Sequence, residues 1–180
     1  GLVNRSANRP SQEGAAAEVD RALGVCFRGG FRQVLLRGDT DFSQTEHLDR
    51  WHADGRVRFI FGYDAAPNLV ARAEALAEHD WQPLQRPARY EVRTEPRQRP
   101  DNVKEAVVVR RAFENIKLVS EQVAEFAYQP VACRHSYRMV VVRKNLSVER
   151  GERVLFDDVR YFFSISNDRA ASAAEVVFGG

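Results

Sequence analysis

Val34-Leu35-Leu36-Arg37-Gly38-Asp39-Thr40-Asp41-Phe42 is the stretch around which this chain is organised. An apolar run that ends in carboxylates and leads into a helix is how α/β folds bring an acid to the C-terminal edge of a strand, where ligands and metals gather. Asp39 is therefore the first candidate for chemistry. Ser43 followed by Glu46 has the Ser-x-x-Glu spacing of a capping box, which predicts a helix from Gln44.

Working outward, Ser11 reads as an N-cap. Ala15, Ala16, Val19, Ala22, Leu23 and Cys26 then recur at helical spacing until Gly29-Gly30. After the helix from Gln44, with Leu48 and Trp51 on one face, Val57, Phe59 and Phe61 alternate with Arg56, Arg58 and Ile60 in a second strand that stops at Gly62. Pro67 opens a short helix through Leu69, Val70, Ala73 and Leu76. Helix, strand, helix, strand, helix implies parallel strands with right-handed crossovers.

Near Trp81-Gln82-Pro83 the grammar changes. Tyr90 to Thr94, Ala106 to Phe113, Ile116 to Val119, Tyr137 to Arg143, Val154 to Phe156 and Tyr161 to Ile165 all read as strands. Turn signals at Arg99-Pro100-Asp101-Asn102, Gln129-Pro130 and Glu149-Arg150-Gly151-Glu152 separate them. The Ala-rich stretch 170–175 is a short helix candidate. The chain starts at Gly1, its Leu2-Val3-Asn4 reads as the tail of a strand, and it closes on Phe178-Gly179-Gly180. The expectation is a piece of a larger domain.

With 180 residues, 44% of them apolar and 29% charged, the composition is that of a soluble globular chain. No apolar run approaches the roughly 20 residues that span a bilayer, and there is no signal-like start, so the expected location is cytoplasmic. Cys26 and Cys133 lack disulfide or zinc spacing and read as reduced, structural thiols. The net charge of +2 hides 27 basic and 25 acidic residues, so a polyanion would have to be met by local patches.

Two carboxylates flanking Thr40 point the same way if the backbone is extended, and together they could hold Mg²⁺. The same pair also reads as turn and cap residues favoured by the helix dipole. His47 and His52 are five apart, not the i, i+4 of a helical metal pair, and read as surface or packing residues. His79 and His135 receive no role. Basic residues cluster in the β-type half, and Arg93, Arg97, Arg99, Arg110, Arg111, Arg143 and Lys144 are candidates for phosphate contacts. The competing reading is a solvated face balanced by Glu91, Glu95, Asp101 and Glu105.

The Asp39-Thr40-Asp41 turn resembles the nucleophile motif of haloacid-dehalogenase-type phosphatases, with Asp157-Asp158 in place of that family's later acids. That fold would need strand–helix alternation to continue between the two sites. A broader resemblance runs through Leu36 to Phe42, Thr45 to Trp51, Phe59-Ile60-Phe61-Gly62-Tyr63-Asp64, Tyr137 to Lys144 and Tyr161 to Asp168. Over nearly the whole chain these segments are similar to DDE transposases of bacterial insertion sequences, in the branch whose RNase H-like core is interrupted by a β-rich insertion.

The resemblance implies an α/β chain with a partial RNase H-like core over residues 1–80, a mostly antiparallel β-rich insertion over 81–166, and a linker with a short helix over 167–180. It implies DNA cutting and joining by two Asp and one Glu that hold Mg²⁺ or Mn²⁺, with Asp39 as the second Asp and sole catalytic and metal-binding residue carried over. Asp41 is then a supporting or capping residue. The first Asp and the Glu have no counterpart here, so the chain is expected to be inactive alone, a non-catalytic DNA- or transposase-binding remnant being the alternative. The implied partners are transposon and target DNA and a second transposase in a synaptic complex, in the bacterial cytoplasm at the nucleoid.

Overall fold

The computed structural model describes residues 13–86, 114–150 and 153–178. The expected N-cap Ser11 and the strands expected over Tyr90–Thr94 and Ala106–Phe113 lie outside them. Helix α1, Ala15–Arg28, starts after Gly14 in the left-handed region at φ 75°. It stops at Gly29 and at Gly30, whose φ of 90° suits a residue without a Cβ. Strand β1, Val34–Gly38, follows, and then a single 3₁₀ turn, Thr40–Phe42.

Helix α2 covers Thr45–Ala53. The expected capping box does not form. The Ser43 hydroxyl donates back to the Thr40 carbonyl at 2.7 Å, closing the 3₁₀ turn, and Gln44 precedes the helix without a side-chain cap. Gln44 rather than Ser43 takes the position just before the first helical residue, so the Ser43 oxygen comes one residue too early to accept from the first-turn N–H groups. Strand β2, Val57–Tyr63, passes through Gly62 rather than stopping there, and α3, Pro67–Glu74, opens on its proline as expected.

Beyond α3 come the two-residue strand β3, Gln82–Pro83, and three long strands: β4, Glu114–Tyr128; β5, Tyr137–Arg150; and β6, Arg153–Ser166. The segments Val154–Phe156 and Tyr161–Ile165, read as two strands, are one. The polar Asp157-Asp158 between them sits within the ladder, opposite Ser147 and Leu146. Helix α4, Ala173–Phe178, begins inside the Ala-rich stretch and runs past it.

These strands form one sheet, ordered β1-β2-β6-β5-β4-β3. Only β1 and β2 pair in parallel, from Val34 opposite Val57 to Gly38 opposite Phe61; the other neighbours are antiparallel. The change of grammar at Trp81 is therefore not a break in the sheet, because β6 lies between β2 and β5. The described residues are mixed α/β with a mostly antiparallel six-stranded sheet.

Each face of the sheet has its own core, as the alternation of side chains along a strand requires. On one face Leu23 of α1, Leu48 and Trp51 of α2, and Leu69 and Ala73 of α3 pack on Phe59, Phe61, Met139, Val141, Phe163 and Ile165. On the other, Val176 of α4 packs with Ile60, Val123, Val140 and Val142. Strand β2 ends at Tyr63 opposite Phe163, whereas β6 reaches back to Arg153, ten residues further out. At about 3.3 Å per residue this carries a three-stranded ribbon roughly 33 Å past the C-terminal ends of β1 and β2. Ile116, Leu118 and Phe156 stay half exposed on it. No helix among the described residues is long and apolar enough to cross a membrane.

Candidate functional site: the acidic edge of the parallel strands

Asp39 leaves the C-terminal end of β1 in extended backbone, and its Oδ1 accepts the Asp41 N–H at 3.2 Å. It thus caps the 3₁₀ turn. Asp41 lies inside that turn, so the extended geometry that would aim both carboxylates alike is absent. One strand over, Asp64 follows the end of β2, and all three acids are exposed. Two parallel strands joined by α2 therefore present carboxylates at the same edge of the sheet, the place where α/β folds bind ligands.

Glycines set how tightly this edge is built. A Cβ on Gly62 would stand 2.9 Å from the Thr40 nitrogen and 3.1 Å from the Asp39 carbonyl carbon. The turn after β1 is thus pressed directly on the β2 backbone. A Cβ on Gly38 would come within 2.7 Å of the Phe42 side chain, which folds back over it.

Between α1 and α2 beside this edge lies an open groove of about 910 Å³. Thr40, Asp41 and Asp64 line it together with Glu13, Asp20 and Glu46, against the basic Arg50 and His47; Asp39 is not part of the lining. Asp20 of α1 accepts from Trp51 Nε1 at 3.0 Å and from Arg50 at 2.6 Å, which fastens α1 to α2. Partial burial works against its ionisation, but the Trp51 and Arg50 hydrogen bonds prevail and hold its pKa below the usual carboxylate value.

The middle of α2 is held by a second carboxylate. Asp49 accepts from the Tyr137 hydroxyl at 2.5 Å, from the Arg134 N–H at 2.6 Å and from the His135 N–H at 3.4 Å, with His135 Nδ1 3.2 Å away. Burial opposes its charge, and these donors overcome it, pulling the pKa down to about 2. The Cys133 thiol donates to the Thr45 carbonyl at 3.1 Å, and burial pushes its pKa up to about 11. Both cysteines are free, and Cys133 serves as a packing and hydrogen-bonding group.

His52 meets the ring of His135 at 5.2 Å and the edge of Tyr137 at 5.6 Å, while His47 tilts against Trp51 at 5.8 Å. Asn167 holds the opposite side. Its Oδ1 accepts the Phe59 N–H at 2.8 Å, and its Nδ2 donates to the Val57 carbonyl at 3.0 Å. The same Nδ2 lies 3.4 Å from His52 Nδ1. Where β6 ends, this amide continues the pairing of β2.

The basic candidates are placed unevenly. Arg93, Arg97, Arg99, Arg110 and Arg111 lie outside the described residues. Arg143 donates to Glu78 at 2.6 Å and to Gln122 at 2.9 Å and stacks over Trp81 at 4.3 Å. Lys144 pairs with Glu121 at 3.3 Å and sits over the Phe162 ring at 4.7 Å. As neighbours on a strand these two project to opposite faces of the sheet, each engaged within the chain.

Among the described residues, no group of three or more His, Cys, Asp or Glu side chains is arranged to hold a metal ion. Asp39 offers one carboxylate, with Asp41 and Asp64 spread along the edge rather than converging on a point. These residues alone do not fit the divalent cation that the transposase resemblance implies. The sequence had pointed to Asp39 but not to the Asp49 hub, because its partners are 85 to 88 positions away. No family model, no curated protein and no solved structure matches this chain.

Proposed function

We propose that this chain is the central part of a DNA transposase of the DDE type, a partial RNase H-like core to which Asp39 contributes one of the catalytic acids. The observation that carries the reading is the position of Asp39 at the C-terminal end of β1, where β1 pairs in parallel with β2 through the crossover helix α2. The long antiparallel strands that extend the same sheet support it, because their ribbon rises past the edge that bears Asp39. DNA approaching that edge would run alongside the ribbon. The transposon ends and target are its expected DNA partners, in a synaptic homodimer in the bacterial cytoplasm at the nucleoid.

On this reading Asp39 is a single metal-binding carboxylate, and Mg²⁺ or Mn²⁺ would need further acids that the described residues do not supply. Their own contribution is positional. Gly62 lets the Asp39 turn lie flat on β2, and the Asp20 and Asp49 contacts fix α2 beside it. The phosphatase reading has less support. Asp158 pairs opposite Leu146, six residues further out along β6 than Ser164, which lies level with Gly62 beside the Asp39 turn. At about 3.3 Å per residue that separates the two acid pairs by roughly 20 Å.

The test is strand cleavage of DNA by the 180-residue chain and by the protein encoded by the continuous reading frame around it, each with Mg²⁺ or Mn²⁺. The short chain should not cut. The longer protein should cut, and Asp39→Asn should lower its rate by about 10³-fold or more. Cleavage that survives the substitution, or an aspartyl-phosphate trapped on Asp39, would sink the proposal.

A further inference from the structure

We propose that the end of the sheet opposite Asp39 is a nucleic-acid-binding surface, at which Arg58, Arg134 and Arg169, with His52 and His135 among them, hold the phosphates of a DNA duplex. This surface is independent of the transposase reading, which concerns the Asp39 edge. Arg58 lies four residues down β2 from Gly62, on which the Asp39 turn rests. At about 3.3 Å per residue the two places are roughly 13 Å apart along the strand.

Contacts already made by the fold bring these groups together. His52, at the end of α2, meets the ring of His135 in the β4–β5 hairpin loop at 5.2 Å. Arg134 directly precedes His135, and its N–H is fixed by Asp49. On its other side His52 Nδ1 lies 3.4 Å from Asn167 Nδ2, two residues before Arg169. Asn167 also binds the Val57 carbonyl, next to Arg58. Burial, and then His135, Arg169 and Arg58 against the attraction of Asp49, lower the His52 pKa, so these cations lie within electrostatic reach of one ring.

Their charges are not spent inside the protein. Among the described residues no carboxylate pairs with the guanidinium of Arg58, Arg134 or Arg169, whereas Arg143 and Lys144 are engaged by Glu78 and Glu121. The acids at this end are occupied as well. Asp49 serves Tyr137 and the loop N–H groups, Asp54 pairs with Arg56, Glu125 pairs with Arg138, and Asp168 accepts the Ala170 N–H at 2.8 Å. Residues 1–12 contain no Asp or Glu that could neutralise the cluster. The described residues that flank 87–113 and 151–152 lie toward the ribbon, away from this end: Arg86 binds Glu121, and Glu114, Arg150 and Arg153 pair at its tip.

The chemistry of the cluster favours phosphates. Its three permanent cations are arginines, whose planar guanidinium presents paired N–H groups to a phosphate and gives up water readily. Strands β2, β6 and β5 are neighbours, so the cations they carry span two strand spacings, roughly 10 Å. Three phosphates of one duplex strand occupy about that length, at about 3.4 Å of axis each. An open row of this kind suits a backbone that passes over it.

The experiment is fluorescence anisotropy of a labelled DNA duplex with the full 180-residue chain, across a salt series. The unsubstituted chain should bind with an affinity that falls steeply with salt. Arg58→Gln with Arg169→Gln, and separately Arg134→Gln with Arg169→Gln, should each weaken binding by about 10-fold or more and flatten the salt slope by roughly 2. Arg21→Gln with Arg72→Gln removes the same charge from α1 and α3 and should do neither. Circular dichroism reports folding, and the second pair, whose side chains are exposed, decides if the first does not fold. In NMR spectra of the unsubstituted chain the ring signals of His52 and His135 should shift as duplex is added. No binding, an equal loss in the control pair, unmoved histidine signals, or a preference for vesicles of phosphatidylcholine and phosphatidylserine over the duplex would overturn the proposal.

Discussion

The Tyr137 hydroxyl reaches across 88 positions of sequence to donate to Asp49 Oδ1 at 2.5 Å, joining the first residue of β5 to the middle of α2. Two backbone N–H groups from the intervening hairpin loop bind the same carboxylate. Tyr137 is 3% exposed, so its ring fills the core while its hydroxyl anchors the helix. Tyr137→Phe keeps the ring and removes the donor, and should destabilise the fold by about 1–3 kcal/mol, as expected for a hydrogen bond to a charged group. Urea unfolding at neutral pH measures it; a change under a few tenths of a kcal/mol would deny Asp49 its anchoring role.

Acid should weaken the protein in two stages. Burial, with His135, Arg169 and Arg58 nearby, outweighs the attraction of Asp49 and lowers the pKa of His52 below its ordinary value of 6.5. The unfolded chain then takes up that proton first, so the stability from neutral His52 is complete above about pH 6.5 and declines as the pH falls toward the depressed value. Asp49, held at about 2, contributes stability that is complete above about pH 4 and is lost as the pH falls through 2. Thermal melts from neutral to acid pH should show both declines, the first absent in His52→Gln and the second in Asp49→Asn. Unchanged profiles in the variants would assign the acid sensitivity elsewhere.

Asn167 is 6% exposed, and its amide satisfies the Phe59 N–H and the Val57 carbonyl beyond the end of β6. Asn167→Ala leaves both without their partner in the sheet and should destabilise by about 2–4 kcal/mol. Hydrogen exchange gives a sharper readout. The Phe59 amide should lose its protection, while the Met139 and Val141 amides deep in the sheet keep theirs until global unfolding.

Gly62→Ala places a methyl group 2.9 Å from the Thr40 nitrogen. Backbone has to move, and a cost of about 1–3 kcal/mol follows from overpacking. Gly55→Ala, with no atom within 4 Å of the added carbon, is the matched control and should change stability by less than about 1 kcal/mol. Equal effects at the two positions would mean that the Asp39 turn is not held against β2.

What was legible in the sequence was what depends on neighbours a few residues apart. The β1 run, the apolar spacing of α1 and Pro67 at the head of α3 all carry a local cause, and the structure has each of them. The capping box failed because the helix begins one residue later than its spacing predicts, with Gln44 rather than Ser43 before its first turn. Strand β6 reads as two apolar runs because the polar Asp157-Asp158 interrupts them, and what joins the runs is the ladder to β5, whose partners Ser147 and Leu146 are distant in sequence. Asp39 could be named from its place after an apolar run. The Asp49 and Asn167 anchors could not, since both join segments more than 80 residues apart.

The place of β6 in the sheet also sets a timetable. Ile60 of β2 pairs with Ser166, so an edge of β2 made early in translation stays open until nearly the last described strand has been synthesised. At about 5–20 residues per second, that interval is roughly 5 to 20 s. During it the flanks of Phe59 and Phe61 lack the neighbour that later buries them. The nascent chain therefore spends its most aggregation-prone period waiting for β6, and slowing elongation between residues 63 and 153 should lower its soluble yield.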